Sequence, residues 1–206
     1  MPKYNGNITG AKNGVPGKAF NILVDVDGTL VNFLGQYAKY YRRETGEDVD
    51  YTKIQTYDIS KIFKTNVEYK YLYYQSFYHD IDFMPGAKRA VNNLAKNHNI
   101  YFVTSSVTRE SMAGKCRLLE HTFPWFRVWK HYINASRKSV INMPDSILID
   151  DCPSQICEFN SLRICYGWPH NAHIKQKVDL WTSNWAEIER YIQTRPTSKV
   201  LSGQEA

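Results

Sequence analysis

The sequence predicts an α/β fold, a parallel sheet flanked by helices. Three observations carry that expectation. The run 20–26 is almost unbroken apolar and rich in β-branched residues, as in a strand buried on both faces. Further strand patterns at 100–103, 146–149 and 162–166 alternate with helical ones, as crossover connections between parallel strands require. Three of these strands end in residues with chemical capacity: Asp25 and Asp27, Thr104 and Ser105, Asp150 and Asp151. In parallel sheets, ligands gather beyond the carboxyl ends of the strands.

In chain order, residues 1–18 hold four glycines and three lysines with little apolar content, and read as a flexible arm without a secretory signal. The strand 20–26 turns at Gly28. Segments 33–46 and 51–80 are expected to be helical, with Tyr and Phe recurring among charges. Met84-Pro85-Gly86-Ala87 punctuates the chain and opens a helix over 87–97. The strand 100–103 runs into Thr104-Ser105-Ser106. A helix over 111–122 and a short segment at 126–131 follow. The strand 146–149 ends at Asp150-Asp151, 162–166 is a fourth strand, and the last helix spans 185–193. The segment 33–83 is too long for a plain crossover and is expected to form a small helical cap over the strand ends. The expected organisation is therefore an arm at 1–18, a core of 19–32 and 84–194, the cap at 33–83 and a polar tail at 195–206.

A chain of 206 residues suits one ordinary domain with a small insertion. Its 43% apolar content is enough to fill a core, which excludes wholesale disorder. No apolar run approaches the roughly 18 residues of a membrane span. The four cysteines, Cys116, Cys152, Cys157 and Cys165, are too few for a disulfide scaffold and fit a reducing compartment such as the cytoplasm. They also lack the close pair of a zinc site. A net charge of +6 favours an anionic partner, either a phosphate compound or a nucleic acid.

Asp25 and Asp27 are crowded at a strand end. Two carboxylates 4 Å apart repel by about 4 kcal/mol at an effective dielectric of 20. Either a divalent cation lies between them or one carboxyl stays protonated. A calcium loop does not account for them, because Gly28 is fourth in the motif rather than sixth. Asp150 and Asp151 add two carboxylates at another strand end, and a cluster of oxygen ligands suits Mg²⁺. The Thr104 and Ser105 hydroxyls can hold phosphate oxygens, while Lys138 or Arg137 can neutralise charge. A carboxylate nucleophile, an acid–base carboxyl, a hydroxyl, a lysine and a metal make up a phosphoryl-transfer site.

These residues resemble the haloacid dehalogenase superfamily of aspartate-dependent phosphohydrolases. Asp25-Val26-Asp27-Gly28-Thr29 looks like its first motif, Thr104-Ser105 its second, Lys138 its third and Asp150-Asp151 its fourth, in family order. A closer similarity is to the 5′(3′)-deoxyribonucleotidases, carried by Phe33 eight positions after Asp25, Met84-Pro85-Gly86-Ala87, Leu148-Ile149-Asp150-Asp151, Pro169-His170-Asn171 and Trp185-Ala186-Glu187-Ile188. The sequence departs from that family at Ser106, where proline is usual, and in most of the cap. The resemblance implies a Rossmann-like core with a helical cap after the first strand, and Mg²⁺ as cofactor. It implies that Asp25 attacks phosphorus to form an aspartyl-phosphate, and that Asp27 protonates the leaving oxygen and then deprotonates water. Mg²⁺ would be held by the Asp25 carboxylate, the Asp27 backbone carbonyl and Asp151, with Asp150 orienting the site. Thr104, Ser105 and Lys138 would bind the phosphoryl group, with Lys115 and Arg109 as further candidates for phosphate contact.

Phe33, directly after the nucleophile loop, is the candidate for sugar or base contact. The tyrosines at 69, 71, 73, 74 and 78 are expected mainly to build the cap's own core, with stacking on a base as the alternative. The leading function is hydrolysis of (deoxy)ribonucleoside monophosphates. A phosphatase for nucleic-acid ends is the enzymatic alternative, given the basic residues between 109 and 138. A binding module is the non-enzymatic one, against which the intact Asp25, Asp27, Lys138 and Asp151 argue.

Overall fold

β1 (Asn21–Val24), β2 (Asn99–Thr104), β3 (Tyr132–Asn134), β4 (Ser146–Asp150), β5 (Leu162–Tyr166) and β6 (Leu180–Thr182) form a parallel sheet ordered β3-β2-β1-β4-β5-β6. They belong to a computed structural model of the protein that describes residues 19–56, 58–64, 69–74, 76–141 and 143–195. The arm 1–18 and all but Arg195 of the 195–206 tail lie outside the described residues. The register pairs Val24 with Phe102 on one side and Ile149 on the other. This alignment sets Asp25 level with Asp150, and the Asp25 N–H donates to the Ile149 carbonyl at 2.9 Å.

Because side chains alternate along a strand, the two sheet faces build separate apolar clusters. Ile22, Val24, Ile100, Phe102, Ile147, Ile149 and Ile164 pack toward α1 (Phe33–Thr45), α3 (Ala87–Leu94), α4 (Arg109–Thr122) and α7 (Trp185–Gln193). Leu23, Val103, Leu148 and Cys165 pack on the other face, against α6 (Pro153–Glu158) and the 3-10 segment Pro169–Lys177. In α7, Trp185, Ile188 and Ile192 are buried at spacings that put them on one helix face. The helix α1 starts at Asn32, whose side chain accepts the Gly35 N–H at 3.0 Å, and stops at Gly46, which takes φ +78°. Among the described residues no helix is long and apolar enough to cross a membrane.

Among the described residues of 51–80, the expected helix is instead three short pieces: a 3-10 turn at Tyr51–Lys53, α2 (Ile59–Ile62), and a second 3-10 turn at Lys70–Tyr73. Asp50 and Asp58 interrupt it, each accepting a backbone N–H two residues on, from Thr52 at 3.2 Å and Ser60 at 3.0 Å. The aromatic recurrence reflects ring packing rather than a helical stripe. The Tyr37 ring lies 4.6 Å from Phe63 and 4.7 Å from Tyr71. Strands β3 and β6, three residues each, and the six-residue α6 escape sequence periodicity because they are too short to show one. The segment expected at 126–131 contains α5 (Val128–His131) and passes straight into β3. The helix α4 begins at Arg109 because Thr108 caps it, accepting the Ser111 N–H at 3.0 Å.

Candidate active site

The carboxyl ends of β1, β2 and β4 open into a cleft with about 1000 Å³ of empty space, lined by Asp25, Asp27, Phe33, Thr104, Ser105, Lys138, Asp150 and Asp151 together with residues of the 33–83 insert.

The Asp25, Asp150 and Asp151 carboxylates are all buried, and each offers an oxygen such that the three oxygens lie within 4.8 Å of one another. Lys138, 3% exposed, reaches this cluster from the loop before β4. Its ammonium donates to Asp25 and, at 2.6 Å, to Asp150. The Lys138 N–H is itself fixed by the Gln155 side chain at 2.8 Å, and Asp150 accepts the Cys152 N–H at 2.9 Å. Burial pushes the Asp25 carboxyl up to about 7; Lys138 pulls it down, and Asp150 and Asp27 push it further up. Burial, then Asp25 and Asp150, hold Asp151 well above the ordinary carboxylate value. Burial opposes the charge on Lys138, yet Asp150 and Asp25 keep it above the ordinary lysine value. Ionising all three buried carboxyls against one ammonium would leave excess negative charge in a low-dielectric site. The donors are all hard oxygens, so the cluster fits a divalent cation of the magnesium or calcium class.

Asp27 is held differently. Its carboxylate accepts the Tyr78 hydroxyl at 3.1 and 3.0 Å and lies 2.7 Å from the Lys115 ammonium. Lys115 is fully buried and also donates to the Thr104 hydroxyl at 2.8 Å and the Ser105 carbonyl at 3.2 Å. All three of its N–H donors therefore have protein partners. Lys138 has two such partners among the described residues, leaving one donor for a ligand.

The loop between Asp25 and Thr29 is tied down from behind. The Trp168 indole donates to the Gly28 carbonyl at 2.7 Å, and the Trp185 indole to the Thr29 carbonyl at 3.1 Å. Gly28 takes φ +80°, and a β-carbon there would come within 2.3 Å of Asp151 Oδ2. Asn171, fully buried, donates to the Asp151 and Tyr166 carbonyls, both at 2.9 Å, and accepts from Trp168 N–H and the Trp181 indole. His170, whose charged form burial disfavours, stacks on Trp168 and lies 3.8 Å from Asp151.

Of the residues named from the sequence, Asp25, Asp27, Phe33, Thr104, Ser105, Lys138, Asp150 and Asp151 lie around this cleft. Phe33 is 7% exposed, its ring 5.9 Å from Tyr37 and 5.6 Å from Phe77. Arg137 is exposed and pairs with Glu158 at 3.1 Å, away from the carboxylates. Arg109 is exposed at the start of α4 and does not line the cleft. The sequence offers Tyr78 as part of the cap's core or as a base-stacking ring, not as a partner of Asp27, and nothing separates it in sequence from its neighbouring tyrosines. Lys115 did carry a signal: it shares a helical stripe with the buried Ser111 and Leu119, where a solvated lysine does not belong.

The family model for the 5′ nucleotidase, deoxy (pyrimidine), cytosolic type C protein matches residues 18–197. A Staphylococcus epidermidis protein provisionally named 5′(3′)-deoxyribonucleotidase is 25% identical over 181 residues, covering 84% of this chain and 96% of the relative. A haloacid dehalogenase-like family hydrolase from Streptococcus pneumoniae shares the fold at a TM-score of 0.57 and 18% identity, over 85% of this chain and 99% of its own. A Bacillus subtilis HAD-hydrolase, provisionally so named and bound to magnesium, matches at a TM-score of 0.57 and 15% identity, over 85% and 99% of the two chains.

Proposed function

The chain belongs to the family of the 5′ nucleotidase, deoxy (pyrimidine), cytosolic type C protein, and from that premise we propose that it is a Mg²⁺-dependent phosphomonoesterase of the haloacid dehalogenase type, converting (deoxy)ribonucleoside monophosphates to nucleoside and phosphate through an aspartyl-phosphate. Phosphoric monoester hydrolysis follows from the family. The metal, the intermediate and the residue roles belong to the proposal. One observation carries it: Asp25 sits at a strand end, held by Lys138 and clustered with Asp150 and Asp151, in a cleft that apolar residues of the insert also line.

In this reading an Asp25 oxygen attacks phosphorus while the bond to the nucleoside oxygen breaks, and Asp27 gives that oxygen a proton. Asp27 then takes a proton from water, which attacks the aspartyl-phosphate, releasing phosphate and restoring the Asp25 carboxylate. Lys138, Thr104 and Ser105 hold the phosphoryl oxygens. The Asp25 carboxylate, the Asp27 backbone carbonyl and Asp151 would hold Mg²⁺, and Asp150 orients Lys138. When bound, the ion neutralises charge on Asp25 and on the phosphoryl oxygens. We read 33–83 as a cap: Phe33, Leu34, Ile59, Ile62 and Leu72 from this insert line the cleft and suit a sugar and base. The four free cysteines support a cytoplasmic location.

The test is phosphate release from every mononucleotide and from 3′- and 5′-phosphorylated oligonucleotides. Turnover of mononucleotides that is lost in Asp25→Asn and in chelator is expected. Preferred cleavage of oligonucleotides, with strong salt dependence, would transfer the activity to nucleic-acid ends.

A further inference from the structure

We propose that Tyr78 is a positioning residue for proton transfer: together with Lys115 it holds the Asp27 carboxylate in line with the leaving oxygen. The inference rests on the reading of Asp27 as the proton-transfer group, and adds a residue from the insert to that step.

Both Asp27 oxygens accept the Tyr78 hydroxyl, at 3.1 and 3.0 Å, across 51 residues of sequence. The Tyr78 side chain is only 2% exposed, so its hydroxyl is not simply reaching for solvent. The helix α4 makes room for the ring, since a β-carbon at Gly114 would come within 2.8 Å of it. The next residue, Lys115, closes the other side at 2.7 Å from Asp27 Oδ2. With its remaining donors on Thr104 and Ser105, Lys115 serves this carboxylate and cannot also bind substrate phosphate. The two carboxylates of the motif are thus held by separate partners, Asp25 by Lys138 and Asp27 by Tyr78 and Lys115.

A carboxyl that gives a proton and later takes one must keep a single orientation through both steps, and two free side-chain torsions would spoil it. The same insert also lines the substrate cleft. Phe77, adjacent to Tyr78, packs on Phe33 at 5.6 Å, and Gln36 donates to the Phe77 carbonyl at 2.8 Å. Tyr78 therefore links the wall that faces the nucleoside to the group that protonates its oxygen.

The experiment compares Tyr78→Phe with wild type on a deoxynucleoside monophosphate and on 4-nitrophenyl phosphate, reading kcat/KM, which reports steps through the first phosphoryl transfer. A nucleoside alkoxide needs its proton; 4-nitrophenolate leaves without one. The expected result is a loss of about tenfold or more on the nucleotide and less than about threefold on the aryl phosphate, with the melting temperature nearly unchanged. Lys115→Met should show the same selectivity by substrate, which covers the case of a poorly folding first variant. Equal losses on both substrates, or no loss on the nucleotide, would overturn the assignment while leaving the nucleotidase reading intact. A wild-type protein inactive on nucleotides, or an active Asp25→Asn, would instead sink the reading and this inference with it.

Discussion

Replacing Gly28 with alanine separates two costs that the structure places at one residue. Gly28 takes φ +80°, so alanine incurs the left-handed penalty of about 1–2 kcal/mol. Its β-carbon would also stand 2.3 Å from Asp151 Oδ2 and 2.8 Å from Asp151 Cγ, so the carboxylate must retreat. Ordinary contact begins near 3.4 Å, which requires a shift of about 1 Å. Asp151 is not free to make that shift smoothly, because Asn171 holds its carbonyl at 2.9 Å and Thr29 reaches its carboxylate at 3.4 Å. A displacement of that size at a catalytic centre costs up to about 10²-fold in rate. Gly46 is the internal control, with φ +78° and nothing within 4 Å of its would-be β-carbon. Both variants should lose about 1–2 kcal/mol, or about 2–8 °C in melting temperature. Only Gly28→Ala should raise the Mg²⁺ concentration for half-maximal activity and lower kcat. Thermal melts in chelator and Mg²⁺ titrations of activity measure the two effects. An unchanged Mg²⁺ midpoint in Gly28→Ala would refute the reasoning, as would an equal kinetic defect in Gly46→Ala.

Other outcomes follow from the same geometry. Lys138→Met leaves Asp25 and Asp150 buried without their cation and should cost about 3–5 kcal/mol in a urea titration in chelator; a loss below about 1 kcal/mol would contradict the pairing. Asp25 and Asp151 bind protons more tightly folded than unfolded, so in metal-free protein their contribution to stability falls as pH rises from the ordinary carboxylate value of 3.8 through about 7. The half-buried histidines His98 and His131 act with the opposite sign, but equally with and without metal. The increment in melting temperature conferred by Mg²⁺ should therefore grow from pH 5 to pH 7.5, and a shrinking increment would disprove the carboxylate cluster as the metal site. Phe33→Ala removes a ring packed on Tyr37 and Phe77 and should lower kcat/KM for a nucleotide more than for an aryl phosphate; equal losses would remove Phe33 from substrate recognition.

The sequence alone determined the elements whose signal is local. β1, β4 and α7 are legible because a continuous apolar run or a full helical stripe needs no partner to be recognised. Asp25, Thr104 and Asp150 are legible for the same reason: each follows such a strand, and parallel strands must bring those ends together. Tertiary structure decided how these groups are held. Tyr78 meets Asp27 across 51 residues, Lys138 meets Asp25 across 113, and Trp168 meets Gly28 across 140. Spacing along the chain does not encode such pairings; they arise when helices and loops dock on the sheet and bury polar groups that must then find partners. The same physics broke the expected helix at 51–80. There Phe63 and Tyr71 pack their rings on Tyr37, and the aspartates at 50 and 58 offer the backbone other hydrogen bonds. Short-range pattern thus specified which residues reach the strand ends, while long-range burial determined which partner each of them received.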